Sequence, residues 1–140
     1  MAYRKFRNKR LRVGDIDFDS ELEYFVWDVF QNNKLGCQEH IEEWQFQKPI
    51  QLAPSFKFND ETVGSISIVI DFFVVTKNKI FYIDTKGYLA QHSAIKLKML
   101  KRVILDSGHD KPVEVVLINN KGEVANFILY LMGKFDKFYR

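Results

Sequence analysis

Residues 65–85 constrain this chain more than any other stretch. They read SISIVIDFFVVTKNKIFYIDT, two apolar runs either side of a short polar break. Each run is short and rich in β-branched and aromatic residues, as strands are. The first strand is expected over Val63 to Thr76, the second over Lys79 to Lys86, with Lys77-Asn78 as a two-residue hairpin loop. Alternation then puts Ile66, Ile68, Ile70, Phe72 and Val74 on one face and Ser65, Ser67, Val69, Asp71, Phe73 and Val75 on the other.

Asp71 and Asp84 stand out in this setting. A carboxylate inside an apolar run must neutralise, pair or bind a cation. With Lys77 and Asn78 as the loop, Thr76 pairs with Lys79 and Val75 with Ile80, and Asp71 falls opposite Asp84. Directly opposed side chains share a face, with Cβ atoms about 4.5–5.5 Å apart. Two bare carboxylates that close repel, and one stays protonated. A divalent cation between them removes the conflict through oxygen ligation. Lys86, two residues beyond Asp84, belongs to the same face. The same register lays Ile70 and Phe72 beside Phe81 and Ile83, and a one-residue slip would destroy that apolar face. Taken singly, Asp71 also fits a core carboxylate bonded to backbone or to Lys86, and Asp84-Thr85-Lys86 a surface ion pair on an edge strand.

The remaining elements surround this hairpin. Asp15 to Asp19 alternates as a short strand. Ser20 opens an amphipathic helix to about Asn33, with Leu22, Phe25, Val26, Val29 and Phe30 at helical spacing. Ser20 and Glu23 form a capping box. Glu43 to Lys48 alternates as a strand whose Gln45 and Gln47 face solvent or border the acidic pair, and Pro49 and Pro54 confine the next segment to an edge or loop. Asn59-Asp60 marks a turn. A second helix is expected from about His92 to Asp106, then a buried strand over Val113 to Asn119 and a helix-like segment from Glu123 to Tyr139. The apolar girth of that last segment exceeds one packed face, so it completes the core or makes a dimer interface. The expected architecture is α/β, a mixed central sheet flanked by helices. Residues 1–14 form a basic arm, and residues 15–140 a single domain with a C-terminal helix.

Charge distribution is more informative than net charge, which is only +3. The arm carries Arg4, Lys5, Arg7, Lys9, Arg10 and Arg12 with no acid before Asp15. Lys98, Lys101 and Arg102 share one face of the second helix. Both are footprints for a polyanion, and both also fit solvated surface. Cys37 is the only cysteine, which rules out an intramolecular disulfide and a cysteine-rich zinc site and favours a reducing compartment. No secretory signal and no bilayer-length apolar run occurs, so a cytoplasmic protein without membrane partners is expected. His40, His92 and His109 lack metal-ligand spacing, and no Gly-rich phosphate loop is present.

An acid on the first helix, then an Asp, then Asp-x-Lys on the next strand resembles the PD-(D/E)XK nuclease superfamily. More closely, the chain resembles small phage endonucleases of the Holliday-junction-resolvase-like branch. The likeness runs from about Arg4 to Lys101, through residues 5–9 (KFRNK), 18–20 (FDS), 46–52 (FQKPIQL), 54–58 (PSFKF), 70–74 (IDFFV), 83–87 (IDTKG) and 96–98 (KLK). Ile70 stands where the motif has Pro.

This resemblance implies a restriction-endonuclease-like core and a Mg²⁺-dependent (or Mn²⁺-dependent) endodeoxyribonuclease. It makes Glu23, Asp71, Asp84 and Lys86 catalytic. Asp71, Asp84, the Thr85 carbonyl and Glu23 become metal ligands, the last often through water. Cleavage selective for branched or junction DNA by a homodimer, in the host-cell cytoplasm for a phage protein, would follow. The alternative is a non-catalytic nucleic-acid-binding or assembly protein on a degenerate nuclease fold.

Overall fold

The computed structural model describes residues 10–85 and 91–140, the side chains of Gln91 and His92 excepted. Along these residues run β1 (Leu11–Val13), β2 (Ile16–Phe18), α1 (Glu21–Asn32), a 3-10 turn (Gln38–His40), β3 (Ile41–Ala53), β4 (Phe56–Phe58) and β5 (Glu61–Val63). Then come β6 (Ile66–Thr76), β7 (Ile80–Asp84), α2 (Gln91–Ser107), β8 (Val113–Leu117) and α3 (Lys121–Leu131). The protein is mixed α/β, with a central mixed sheet and, among the described residues, three helices. It divides into two compact units, one from the described residues of Met1–Glu42, Thr85–Tyr88 and Leu117–Arg140, the other from those of Glu43–Asp84 and Leu89–Val116.

In the first unit, Leu11–Val13, the end of the basic arm, is strand β1. It pairs antiparallel with β2 around Gly14, whose φ of 60° suits a residue without Cβ. Helix α1 starts where the capping box places it. Ser20 Oγ accepts from the Glu23 amide at 3.0 Å, and Glu23 Oε1 accepts from the Asp19 amide at 2.8 Å. Asn33, left-handed at φ 53°, ends it. Helix α3 repeats this start: Asn120 Oδ1 accepts from the Glu123 amide at 3.0 Å, and Glu123 Oε1 from the Asn119 amide at 2.9 Å.

Helix α3 stops well short of Tyr139. Gly133 adopts φ 81°, and its amide reaches the Tyr130 carbonyl while the Lys134 amide reaches that of Leu129, at 3.0 and 2.9 Å. That pair of bonds is a Schellman terminus. The wide apolar girth expected for a longer helix is therefore split: Phe138 lies beyond the helix and packs edge-on against the fully buried Phe127, centroids 5.5 Å apart.

The second unit is built on a four-stranded sheet, β3-β6-β7-β8. Pro49 sits in β3, an edge strand, where a missing amide is tolerated. The β6–β7 hairpin has the expected register: Phe72 faces Ile83, Phe73 faces Tyr82, Val74 faces Phe81 and Val75 faces Ile80. The Thr76 amide donates to the Lys79 carbonyl at 2.8 Å, closing the Lys77-Asn78 loop. Helix α2 then links β7 to its neighbour β8, the crossover that a parallel pair requires. The Ile80 amide reaches the Pro112 carbonyl at 2.9 Å, so both strands begin at one end. Asn59-Asp60 turns a small hairpin, β4–β5, which shortens the expected long strand to begin at Ile66.

Candidate functional site

The register that pairs Phe72 with Ile83 sets the site. One more step along both strands brings Asp71 opposite Asp84. The two faces of the hairpin differ in character. Ile70, Phe72, Val74, Phe81 and Ile83 are at most 1 % exposed and form a dry apolar layer. The other face carries Asp71 and Asp84, both 4 % exposed, then Phe73 with Tyr82, then Val75 with Ile80. Phe73 and Tyr82 meet edge-on, centroids 5.1 Å apart. Burial pushes the Tyr82 phenol above its usual range, and its hydroxyl lies 3.2 Å from His109 Nε2.

Two buried carboxyl groups opposed on one face form a set of hard oxygen donors. That chemistry fits a small divalent cation. Mg²⁺ is commonly held by only one or two carboxylates, with substrate phosphate and water completing the shell. Thr85 follows Asp84 directly and is also buried, at 3 % exposure. Among the described residues, no group of three or more His, Cys, Asp or Glu side chains is arranged to hold a metal.

Glu23 belongs to the first unit. It is 1 % exposed and serves α1 as the capping partner described above. Glu123 makes the same cap on α3, is 8 % exposed, and also pairs with Arg140 at 3.3 Å. Lys86 lies outside the described residues, as do Arg4, Lys5, Arg7 and Lys9. Arg10 is exposed. Arg12 pairs across the β1–β2 hairpin with Asp17 at 2.8 Å, an exposed bridge contributing about 0–1 kcal/mol.

Lys98, Lys101 and Arg102 are exposed on α2, while Leu97 and Leu100 are buried, as their spacing requires. Arg102 also pairs with Asp106 at 3.4 Å. Lys101 helps line a cavity of about 400 Å³, together with Ile104, His109, Lys111 and Val113. Neither Asp71 nor Asp84 lines it.

Lys48 was not legible as part of this face. Trp44 and Phe46 pack on Phe72, with centroids 6.5 and 5.4 Å from its ring, and strict alternation would send Lys48 to the same side. Instead its Nζ lies 4.7 Å from the centroid of Phe73, on the carboxylate face. The cause is Gln47, whose φ of 54° breaks the alternation inside β3. The Lys48-Pro49 dipeptide was the available signal, since proline holds the residue before it extended.

Among the described residues, no helix is long and apolar enough to cross a membrane. No curated protein and no solved structure matches the chain. A family model described as "Protein of unknown function (DUF1064)" matches residues 3–109, a span that takes in Glu23, Lys48, Asp71 and the segment from Asp84 to Lys86. That span is well over half of the 140 residues, and the chain belongs to the DUF1064 family.

Proposed function

We propose that this protein is a divalent-metal-dependent endonuclease that hydrolyses DNA phosphodiester bonds, selective for branched or junction DNA, on a restriction-endonuclease-like core. The observation that carries this reading is the opposition of two buried carboxylates, Asp71 and Asp84, at the end of a hairpin leading into Thr85 and Lys86.

In this reading Asp71, Asp84 and the Thr85 carbonyl hold Mg²⁺ or Mn²⁺. The bound cation supplies Lewis-acid chemistry and makes water a competent nucleophile near neutral pH. Lys86, through the sequence resemblance, orients the attacking water, takes its proton or contacts the phosphate. Glu23 enters through that resemblance alone. Lys98, Lys101 and Arg102, with the basic arm, bind backbone phosphates, which position a duplex without reading its bases. A C₂ homodimer would cut paired strands.

The second reading is a nucleic-acid-binding or assembly protein without catalysis, in which the basic arm and the exposed Lys98, Lys101 and Arg102 bind the polyanion. Assays on duplex, flap, four-way junction and single-stranded DNA and RNA separate the two. Endonuclease activity predicts Mg²⁺-dependent cleavage by the wild type, none by Asp71→Ala or Asp84→Ala, and DNA binding retained by both. Salt-sensitive binding with no cleavage in Mg²⁺ or Mn²⁺ would establish the second reading instead.

A further inference from the structure

We propose that Lys48 is a substrate-phosphate contact on the Asp71–Asp84 face, aimed there by the left-handed backbone of Gln47. The inference deepens the nuclease reading and rests on it.

Gln47 has no ordinary reason to be left-handed. Glycine enters that region freely and asparagine and aspartate do so at modest cost, whereas glutamine has neither advantage. A strained residue inside a strand persists only when its surroundings enforce it, and such residues concentrate at functional sites. A bulge in an edge strand redirects the next side chain. Here the redirected residue is Lys48, which passes from the side of Trp44 and Phe46 to the side of Phe73. Pro49 then holds Lys48 extended.

The resulting environment fits a cation awaiting an anion. The Phe73 ring, 4.7 Å from Nζ at its centroid, positions the ammonium, and Gln45 Oε1 accepts one of its hydrogen bonds at 3.4 Å. Among the described residues Lys48 forms no salt bridge. Phe73 is two residues from Asp71 on the same face, about 7 Å along the strand. The ammonium thus lies over the ring next to Asp71 on that face. In this reading a phosphodiester bound beside the acidic pair is the anion it would meet.

The test compares the wild type with Lys48→Gln, Lys48→Arg and Gln47→Gly, using four-way-junction DNA. Binding is read by fluorescence anisotropy in Ca²⁺ across a salt series, cleavage in Mg²⁺, and stability by urea denaturation. The inference predicts that Lys48→Gln lowers kcat/KM about 100-fold and reduces the salt slope of binding by about one unit, with an unchanged urea midpoint. Lys48→Arg recovers most of both, and Gln47→Gly, free to keep φ positive, behaves as wild type. A cleaving wild type with Lys48→Gln equal to it in rate and salt slope overturns the inference and leaves the nuclease reading intact. A lowered urea midpoint with an unchanged salt slope shows a packing role and also overturns it. A wild type that binds DNA without cutting ends the nuclease reading, and with it the inference.

Discussion

Phe73 lies edge-on to Tyr82, ring centroids 5.1 Å apart at an interplanar angle of 66°, directly beside Asp71 and Asp84 on the same face of the hairpin. The aromatic pair pins the register, and the register creates the acidic pair. A slip of one residue would bury Tyr82 in the dry layer and separate the carboxylates.

The proposed function predicts that cation binding at this pair links metal to stability. Because the unfolded chain would have no such site, Mg²⁺ or Mn²⁺ at about 100 times its Kd would add about 2.7 kcal/mol to the fold. Differential scanning calorimetry of the wild type should show a Tm that climbs with metal concentration. In Asp71→Asn and Asp84→Asn the Tm should no longer respond to metal.

The dry layer should dominate the stability of the second unit. Phe72 is fully buried and packs against Trp44 and Phe46, so Phe72→Ala is expected to cost about 3–5 kcal/mol in urea denaturation. Phe58 is 63 % exposed on the β4–β5 hairpin, and Phe58→Ser should stay within about 0.5 kcal/mol of wild type.

Glu23 can be separated into its two roles. Ser20→Ala removes the cap acceptor and should cost about 1 kcal/mol. Glu23→Gln keeps an oxygen for the Asp19 amide and removes the charge, so the cap itself should survive the change. Glu123→Gln serves as a control for α3, where it also weakens the 3.3 Å ion pair with Arg140. Cleavage lost in Glu23→Gln but kept in Ser20→Ala and Glu123→Gln would assign Glu23 to catalysis, whereas equal cleavage by all three leaves it as a cap.

Stability should fall on the alkaline side. Cys37 is fully buried, and burial pushes its thiol above the usual range, partly offset by a backbone hydrogen bond. With the folded value above the unfolded one, this contribution is complete below the unfolded value. It is lost as pH rises from there through the folded value. Tyr82 acts in the same direction at higher pH. Urea midpoints measured between about pH 7 and 10.5 should decline, with the first part of the decline absent in Cys37→Ala. The buried thiol should also resist aromatic disulfide reagents until the first unit opens.

Much of this was legible because it is local. A two-residue loop and a period of two were enough to place Asp71 opposite Asp84. Ser20 and Glu23 announced the start of α1. The halt of α3 was harder to read. Phe135 and Phe138 continue the apolar pattern, and only the left-handed Gly133 reveals that the helix has stopped.

From sequence alone come the hairpin, its register and the carboxylate pair, because each follows from turn length and alternation between neighbours. Tertiary structure alone decided that Gln47 is left-handed, that Lys48 therefore joins the carboxylate face, and that Phe138 returns to Phe127. Those outcomes depend on which strand or ring lies across from each residue. A strained backbone or a chain reversal is stabilised by contacts with distant partners, and a linear pattern carries no record of them.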